Sequence, residues 1–277
     1  MREEAQGIRC AVRRLHFVAI NIMNEKNPIS PIQDSWGNPE HVRLRIHPRF
    51  TDQDFFHFAD LNAFIQQNAS SEKITLLDYG AGSSPYRVYF PQADYRRADV
   101  IEMPGLRYAI RPDSTVPEAD ETFDLILSTQ VTAHVGNPEV YFRECFRLLK
   151  PGGKLLLTTH GIWEEHGVPY DFQRWTEQGM RRDLMAAGFL RPDIYKLTCG
   201  FRALMFLFTR TYFSITPPKS RMPRFLFKGL RFVYSRLFPM IYRACDRYWP
   251  GEKIVKADDG LPTAPFYIVI AALAEKK

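Results

Sequence analysis

Residues Ile74 to Tyr86 read Ile-Thr-Leu-Leu-Asp-Tyr-Gly-Ala-Gly-Ser-Ser-Pro-Tyr. A short apolar run of β-type residues, 74–77, ends at the acidic Asp78, and Gly80 and Gly82 follow. Ser-Pro-Tyr at the end of the stretch can open a helix. A strand, a glycine turn and a helix start let a ligand approach the backbone at the carboxyl end of a parallel strand. A Cβ at either glycine would block that approach or force a strained φ.

The residues around this turn narrow the class of ligand. Pro85 stands where a dinucleotide fingerprint has its third glycine, and the Lys and Ser/Thr of a phosphate-binding loop are missing, which disfavours a nucleoside triphosphate. Asp99 ends a predicted second strand, 95–100, about 20 residues further on, where a carboxylate can bind ribose hydroxyls. The Gly-x-Gly pair alone is equally typical of an ordinary βα turn, so Asp78 and Asp99 carry the prediction of a nucleoside site.

Three segments together resemble a known family. Asp78-Tyr-Gly-Ala-Gly resembles the first motif of class I S-adenosylmethionine-dependent methyltransferases. Residues 123–135 resemble that family's fourth strand and the loop after it, and residues 137–160 resemble its next helix, Pro-Gly-Gly turn and fifth strand. The motifs occur in the family's order, and the resemblance covers about 74–189 and a last strand near the C-terminus.

The resemblance implies an α/β fold: a Rossmann-like, doubly wound, seven-stranded and mostly parallel sheet with an antiparallel last strand. N-terminal helices and a helical insertion before the last strand are expected in addition. We divide the chain into an N-terminal helix and loop extension (1–50), a methyltransferase core (51–200), a basic aromatic helical insertion (201–262), and the last strand with its tail (263–277). Within the first two parts, the patterns predict a helix over 8–24, a loop over 27–48, and a helix from a Thr51–Asp54 capping box to about residue 68.

The resemblance implies S-adenosylmethionine as the cofactor. Gly80 and Gly82 would let its methionine part lie against the backbone, and Asp78 would orient the loop or the amino group. Asp99 would hold the ribose, and Asp113 would bind the adenine edge unless it only forms a turn. The cofactor-binding candidates are Asp78, Gly80, Gly82, Asp99, Asp113 and Gln130.

Two histidines are the catalytic candidates. His160 ends the predicted fifth strand and is our first choice for a base near the acceptor, because a histidine with a near-neutral pKa can remove a hydroxyl proton. His134 lies in the loop after the fourth strand, where the family usually has Leu-Glu-His and this chain has Thr-Ala-His. Because the glutamate is absent, its role in the family does not carry over to this chain. We expect His134 to line the active-site mouth; the alternative is a structural loop histidine.

The loop after the fifth strand is unusually rich in reactive side chains. Residues 158–176 include two histidines, two tryptophans, an aspartate and an arginine. They resemble bacterial methyltransferase-domain proteins with Thr-Thr-His-Gly-x-Trp and Asp-x-x-Arg-Trp-Thr, many of them tied to surface-glycan synthesis. The competing interpretation is that Asp171, Arg174 and Trp175 only lock the loop. His160, His166 and Asp171 could also form a metal site, but no helix fixes their spacing and we predict no metal.

Composition bounds the class of protein. The chain has 277 residues and a net charge of +6, and its four cysteines form no Cys-x-x-Cys pair, which argues against a zinc site or a disulfide framework. The N-terminus lacks the pattern of a signal peptide, and no stretch approaches the 18 or so apolar residues of a membrane span. A cytoplasmic protein is expected.

The basic charge lies in one segment. From Lys196 to Lys256 there are 13 Lys/Arg and 2 Asp/Glu, a balance of +11, so the rest of the chain carries 24 Lys/Arg and 29 Asp/Glu, or −5. Residues 201–250 alternate aromatics with arginines, which is typical of a helix in a membrane interface. A helical cap over the site, a homodimer surface and a nucleic-acid patch are the alternatives, and the last is disfavoured because no nucleic-acid-binding module is recognisable.

The sequence therefore predicts an S-adenosylmethionine-dependent methyltransferase that acts on a small-molecule or glycan acceptor, most plausibly by O-methylation of a sugar or membrane-associated glycan intermediate. It would work in the cytoplasm or peripherally at the inner face of the membrane. The chain has no Asn-Pro-Pro-Tyr after the fourth strand and no Pro-Cys nucleophile, which disfavours amino-directed nucleic-acid or glutamine methylation and cytosine C5 chemistry. The alternatives are a small-molecule or lipid-like acceptor, or a catalytically silent binding protein with the same fold.

Overall fold

The structure is a computed structural model, and it describes residues 39–167, 169–257, 264 and 266–277. The helix expected over 8–24 and the first part of the loop expected over 27–48 lie outside these residues. The loop prediction is wrong at its C-terminal end, where the first helix, α1, runs over Pro39–Ile46. A helix of eight residues, little more than two turns, is too short to show a clear hydrophobic period.

The described residues form one eight-stranded sheet, in the order β3-β2-β1-β4-β5-β8-β6-β7. Strands β1 to β5 are parallel neighbours, and β8 lies antiparallel between β5 and β6. The mostly parallel sheet with an antiparallel last strand is as predicted, but the strand number is larger by one. The strands are β1 (Thr75–Tyr79), β2 (Asp94–Asp99), β3 (Tyr108–Ala109), β4 (Phe123–Thr129), β5 (Leu149–His160), β6 (Asp193–Cys199), β7 (Ile254–Lys256) and β8 (Tyr267–Glu275).

The additional strand, β7, belongs to the segment predicted as a helical insertion. It pairs antiparallel with β6 at the sheet edge, and an Ile-Val-Lys run is too short to be assigned from sequence. Strand β5 also begins earlier than predicted, because Pro151-Gly-Gly is part of it and its register with β4 shifts between Phe123 and Leu125. The glycine turn, Asp99 and His160 all lie at the same edge of the sheet, where the parallel strands end.

Helices cover both faces of the sheet. In addition to α1, they are α2 (Phe55–Gln67), α3 (Pro138–Leu148), α4 (Glu177–Ala186), α5 (Gly200–Ser214) and α6 (Arg221–Tyr248). The Thr51–Asp54 capping box is not formed: α2 begins at Phe55, and Asp54 makes no capping bond because it pairs with Arg210 of α5. The caps of α3 and α4 are as the sequence indicates, with Asn137 and Thr176 accepting a backbone N–H each.

Alternate residues of the strands face two separate cores. Leu77 packs with residues of α3 and α4, whereas its neighbour Leu76 packs with residues of α2, α5 and α6. This is the doubly wound arrangement that parallel strands require, because both sheet faces must be covered. Cys145 is fully buried in the first core, as its position on the apolar stripe of α3 predicts.

A buried ion pair joins the insertion to the core. Arg202 of α5 is fully buried, and its Nη2 lies 2.6 Å from Oδ1 of Asp60 on α2. Thr198 Oγ1 donates to the other carboxylate oxygen at 2.8 Å, and Arg202 Nη1 lies 3.1 Å from Asp246 of α6. Burial raises the pKa of Asp60 to about 6, against the opposing attraction of Arg202. One guanidinium thus links three helices.

Candidate active site

The glycine turn after β1 is built as the sequence predicts. Gly80 and Gly82 have φ of +76° and +47°. The N–H groups of Gly80 and Ala81 both donate to the Ala98 carbonyl of β2 at 2.9 Å. A Cβ at Gly80 would lie 2.4 Å from Cγ2 of Val131. Glycine is therefore required here by the backbone conformation and by the close approach of the loop after β4.

Asp99 points at this turn. Its carboxylate is 5% exposed, and its Oδ2 accepts from the Gly82 N–H at 2.8 Å while Oδ1 accepts from Ile101 N–H at 3.2 Å. Burial raises the pKa of Asp99, and these backbone donors oppose that shift. Because a carboxylate has about four lone-pair positions, it retains acceptor capacity for the hydroxyls of a ribose.

Asp78 is buried on the β1 side of the same turn. Tyr95 Oη donates to its Oδ2 at 2.6 Å. Burial raises the pKa of Asp78 to about 7, and the tyrosine hydroxyl partly offsets the rise. The contact ties the end of β1 to β2, which favours the first of the two roles expected for Asp78, orientation of the loop.

Arg97 of β2 contacts the glycine turn, and the sequence did not predict it as a site residue. Its Nη2 donates to the Gly82 carbonyl at 2.6 Å, its Nε to Ser84 Oγ at 3.0 Å, and its Nη1 to the Pro104 carbonyl at 2.8 Å. The guanidinium therefore fixes both the glycine turn and the loop after β2. Its position in a strand pattern gives no sign of this role, because the reach of the side chain depends on where that loop folds.

Gln130 carries an unused acceptor at the end of β4. The residue has φ of +60°, and its N–H donates to the Thr158 carbonyl at 2.8 Å. Its side-chain Oε1 is buried and has no hydrogen-bond partner in the structure. A buried carbonyl oxygen without a donor is destabilising, so this atom suits a ligand that brings an N–H or O–H group.

Asp113 lies apart from these residues, in an exposed turn after β3. Its Oδ1 accepts from the N–H of Thr115 at 3.1 Å and from the Thr115 hydroxyl at 2.7 Å, and these bonds lower the pKa of Asp113. Tyr79 Oη, at the end of β1, donates to the Ser114 carbonyl and holds the turn to the strand before the glycine turn. The turn-forming role is thus observed, whereas binding of adenine by Asp113 stays a prediction.

A cluster of four histidines and one tryptophan, which we call the histidine cluster, lies at the ends of β4 and β5: His57, His134, His160, Trp163 and His166. His160 is 4% exposed and stacks on Trp163 at 4.5 Å between ring centroids. The centroid of the His57 ring lies 4.6 Å from that of Trp163. His134 lies 4.8 Å from His166. The structure therefore brings the two predicted catalytic histidines into one group.

His57 was not predicted as a site residue. It lies in α2, whose apolar stripe indicates only a packing helix, and it is 3% exposed. The Nδ1 atoms of His57 and His160 are both buried without a hydrogen-bond partner. Only the packing of α2 against the loop after β5 brings a residue more than 100 positions away into the cluster, so no local sequence signal could have found it.

The loop after β5 is held by an aspartate–arginine pair. Both guanidinium Nη atoms of Arg174 bind the Asp171 carboxylate, at 2.6 and 2.7 Å, and Asp171 Oδ2 accepts from the His166 N–H at 2.9 Å. Arg174 is the main reason that the pKa of Asp171 is lowered to about 2. Asp171 and Arg174 thus form the ion pair that was expected to lock the loop. Among the described residues, no group of three or more His, Cys, Asp or Glu side chains is arranged to hold a metal ion.

Burial favours the neutral form of three imidazoles of the cluster, those of His57, His160 and His166. It lowers the pKa of His57 from 6.5 to about 3 and that of His160 well below its usual value, and neighbouring cationic groups act in the same direction. The pKa of His166 is also lowered, mainly by burial. A neutral imidazole at pH 7 has a free lone pair and can accept a proton.

We expect the stabilising effect of His57 to depend on pH. Unfolded His57 binds a proton below about pH 6.5, whereas the folded residue does so only near pH 3. The unfolded state binds more protons in that window, so the free energy of unfolding gains about 1.4 kcal/mol per pH unit from this residue as pH rises. The difference in unfolding free energy between the wild type and His57→Gln should therefore shrink as pH falls from 6.5 to 4.5.

Urea unfolding of both proteins at several pH values measures this difference. Comparison of variants is needed because the buried carboxyls Asp60 and Asp78 have raised pKa values and titrate in the opposite sense. His47→Gln, at an exposed position, is the matched control, and it should change the free energy of unfolding by no more than about 0.5 kcal/mol. A constant difference for His57→Gln would show that its imidazole is not buried neutral.

Comparison with known proteins identifies the domain. A family model described as a methyltransferase domain matches residues 77–157, which contain the glycine turn, Asp99 and Gln130. The core of this chain is a class I S-adenosylmethionine-dependent methyltransferase domain. S-adenosylmethionine is accordingly its cofactor, and the glycine turn, the Asp99 carboxylate and the orphaned Gln130 acceptor fit such a group.

Relatives of the methyltransferase domain match it in part. A rat mitochondrial ubiquinone biosynthesis O-methyltransferase is 40% identical over 47 residues, which are 17% of this chain and 14% of the relative. A Mycolicibacterium smegmatis protein described as a probable S-adenosylmethionine-dependent methyltransferase is 29% identical over 90 residues, 32% of this chain and 30% of the relative. The matched segments thus span less than a third of either protein.

A solved structure resembles the fold of this chain over a longer stretch than the sequence relatives match. An S-adenosylmethionine-dependent methyltransferase from Thermotoga maritima is superposable with a TM-score of 0.51 at 14% identity, and the alignment covers 89% of this chain and 99% of that one. At this identity the likeness shows the fold alone. It confirms the Rossmann-like arrangement predicted from the motifs.

Proposed function

We propose that this chain transfers the methyl group of S-adenosylmethionine to a hydroxyl oxygen, with His160 as the base. The observation that carries the proposal is the position of His160: a buried imidazole at the end of β5 whose Nδ1 has no hydrogen-bond partner. It lies at the same sheet edge as the glycine turn and Asp99. A base beside a donor site is what O-methylation requires.

The donor would be held by residues of β1, β2 and β4. Gly80 and Gly82 leave room against the backbone, Asp99 would accept from the ribose hydroxyls, and Gln130 Oε1 would accept from the ammonium group. Asp113 would bind the adenine edge. When bound, S-adenosylmethionine supplies the methyl group on a positively charged sulfur, so the chain's main task is to hold donor and acceptor in line, which can contribute ~7–11 kcal/mol.

The hydrogen bonds of the cluster favour one tautomer of His160. Its Nε2 lies 3.2 Å from Nε2 of His166, so one of these atoms donates and the other accepts. Asp171 Oδ2 lies 3.5 Å from His166 Nδ1, and a carboxylate there favours a proton on Nδ1 of His166. His166 Nε2 is then the acceptor, His160 Nε2 carries the proton, and His160 Nδ1 has the lone pair.

His160 Nδ1 would accept the proton that the acceptor hydroxyl loses as its oxygen is methylated. His134 is the second imidazole of the site: its Nδ1 pairs with the Tyr170 carbonyl at 2.5 Å, which leaves Nε2 as an acceptor near the mouth. We assign it to acceptor binding or to removal of the proton from the active site. The chain would need no metal for this chemistry.

A sugar or a membrane-associated glycan intermediate is our leading acceptor. The support is the loop that starts with Thr158-Thr-His-Gly-Ile-Trp, which resembles proteins tied to surface-glycan synthesis and which supplies His160 and Trp163 to the site. A small-molecule or lipid-like acceptor is the second candidate. It is favoured by the local identity to a ubiquinone biosynthesis O-methyltransferase and by the apolar surface of α5 and α6.

We further propose that the chain acts peripherally at the inner face of a membrane, through residues 201–250. A homodimer through the same residues is the competing interpretation, and both follow from exposed apolar side chains on α5 and α6. The docking experiment described in the next subsection distinguishes them.

Asp99→Ala should weaken binding of S-adenosylmethionine by about 10- to 150-fold, because hydrogen bonds to a charged group contribute about 1.5–3 kcal/mol. Isothermal titration calorimetry measures the affinity. Asp113→Ala should have a smaller effect, since that carboxylate is exposed and already bonded to Thr115. If Asp99→Ala binds S-adenosylmethionine as tightly as the wild type does, Asp99 does not take part in binding the donor.

The reaction itself is tested with radiolabelled S-adenosylmethionine and fractionated cell-envelope extracts. Label should appear in glycan or lipid fractions as an alkali-stable ether. Absence of label in every fraction, with donor binding intact, would favour a catalytically silent protein. Label in an amine or a thiol would contradict hydroxyl chemistry.

A further inference from the structure

An exposed apolar stripe runs along α6. Leu226, Leu230, Val233, Leu237 and Met240 follow one another at intervals of four and three residues, which places them on one side of a helix. Each is 47–63% exposed, although residues of this type are usually buried. The residues that directly follow those of the stripe face the core; Phe238, which follows Leu237, is buried.

A second stripe lies on α5. Phe201, Leu204 and Phe208 are spaced by three and four residues and are 37–56% exposed. The two helices pack together through aromatic contacts, including Phe208 with Tyr234 at 5.5 Å between centroids. The stripes therefore belong to one helical hairpin, 200–248. Exposed apolar side chains clustered in this way are typical of an interaction site.

The residues beside the α6 stripe on its outer side are basic or aromatic. Phe232 and Arg236 precede stripe positions by one residue, so they lie roughly 100° round the helix from it, and both are exposed. Arg243 and Arg247 are exposed on the same side. Aromatic and cationic side chains bordering an apolar stripe are the pattern of helices that lie in a membrane interface.

The hairpin's acidic side chain does not neutralise this border. Asp246 is the acid in the α6 sequence, and its Oδ1 lies 3.1 Å from Arg202 and 2.8 Å from Lys253 on the inner side of the helix. A second copy of the chain seated on the stripe would bring two such basic helices together, and like charges would repel. An anionic surface would instead be attracted.

We propose that the α5–α6 hairpin docks on an anionic lipid membrane, with both stripes at the level of the headgroups and Arg236, Arg243 and Arg247 against lipid phosphates. Among the described residues no helix has the length and apolar content to cross a bilayer, so the hairpin lies along the surface. Lys and Arg next to an anionic leaflet strengthen such binding in a salt-dependent way.

Docking would place the active site next to the bilayer. The inner side of α5 contacts the loop after β5: the Phe206 ring stacks on Trp163 at 5.5 Å, and the Arg210 guanidinium lies 4.7 Å from the same indole. Arg210 also pairs with Glu164. The docking helix α5 thus contacts the histidine cluster directly, through Trp163. If the chain is the methyltransferase proposed above, its acceptor would then be an amphiphile whose reactive group lies near the headgroups.

Co-sedimentation of the full chain with vesicles tests the docking. The wild type should bind vesicles of phosphatidylcholine with phosphatidylglycerol about tenfold or more tightly than phosphatidylcholine alone, and the difference should disappear in high salt. Leu230→Glu with Leu237→Glu should reduce binding by a similar factor. The matched control is Met185→Glu, at an exposed apolar position of α4, which should bind as the wild type does.

Two further measurements make the result decisive. Circular dichroism and donor affinity should be unchanged in all variants, which shows that they are folded. Size-exclusion chromatography with light scattering should give a monomer for the wild type. Equal sedimentation of the stripe variant and the wild type would overturn the proposal, as would a dimer that the stripe substitutions dissociate. Failure of methyl transfer with intact vesicle binding would contradict the proposed function only.

Discussion

His160→Gln is expected to slow methyl transfer by about 10²- to 10⁴-fold, the usual contribution of a positioned general base. The residue lies at the end of β5, and its Nδ1 has no partner in the protein. Glutamine keeps a polar side chain of similar reach but cannot accept a proton at neutral pH. Because the pKa of His160 lies well below its usual value, the wild-type rate should be independent of pH above about pH 7.

Single-turnover assays with labelled donor measure the rate, and calorimetry measures donor binding separately. Donor affinity should change little, since Asp99 and the glycine turn belong to other strands. His47→Gln is the matched control, because His47 is exposed outside the histidine cluster. A variant His160→Gln with unimpaired turnover would exclude this residue as the base, and His134 would then be tested in the same way.

Asp60→Asn should lower the free energy of unfolding by about 3–5 kcal/mol above pH 7, the loss typical of a buried ion pair with one partner removed. The Arg202 guanidinium is fully buried, so the substitution leaves its charge without the carboxylate that now lies 2.6 Å away. The size and shape of the side chain are kept, and packing changes therefore contribute little. Urea unfolding monitored by circular dichroism gives the value.

Glu139→Gln is the matched control for Asp60→Asn. Glu139 pairs with Arg143 at 2.7 Å on the surface of α3, where both side chains are 63% exposed. Exposed pairs of this kind contribute about 0–1 kcal/mol. Equal destabilisation by the two substitutions would show that the Asp60–Arg202 pair is solvated in solution. A large loss limited to Asp60→Asn would confirm that the pair joins the insertion to the core.

The glycine turn and its contact with Asp99 could be predicted from the sequence because their signals are local. The φ values of Gly80 and Gly82, and the clash that a Cβ at Gly80 would make, are properties of a short turn. Asp99 ends β2, the next strand after β1, and the two strands are parallel neighbours. In parallel strands such positions meet at one edge, so spacing along the chain was enough to bring them together.

The histidine cluster was predictable only in part. His160 could be placed because it ends a strand, but His57 enters the cluster through the packing of α2, and the pattern of α2 indicates a core helix. The reach of Arg97 to the Gly82 carbonyl depends in the same way on how a loop folds. For Asp113, the sequence left two roles open, and the structure shows its bonds to Thr115.

The sequence by itself determined the Rossmann-like class of fold, the glycine turn and the class of cofactor. These depend on hydrophobic period, on backbone conformation and on the position of acids at strand ends, which are short-range properties. The tertiary structure decided which imidazoles meet, which carboxylate neutralises Arg202, and which face of the basic hairpin stays exposed. Those outcomes depend on contacts between residues far apart in the chain, and their free energies arise only when burial removes water from both partners.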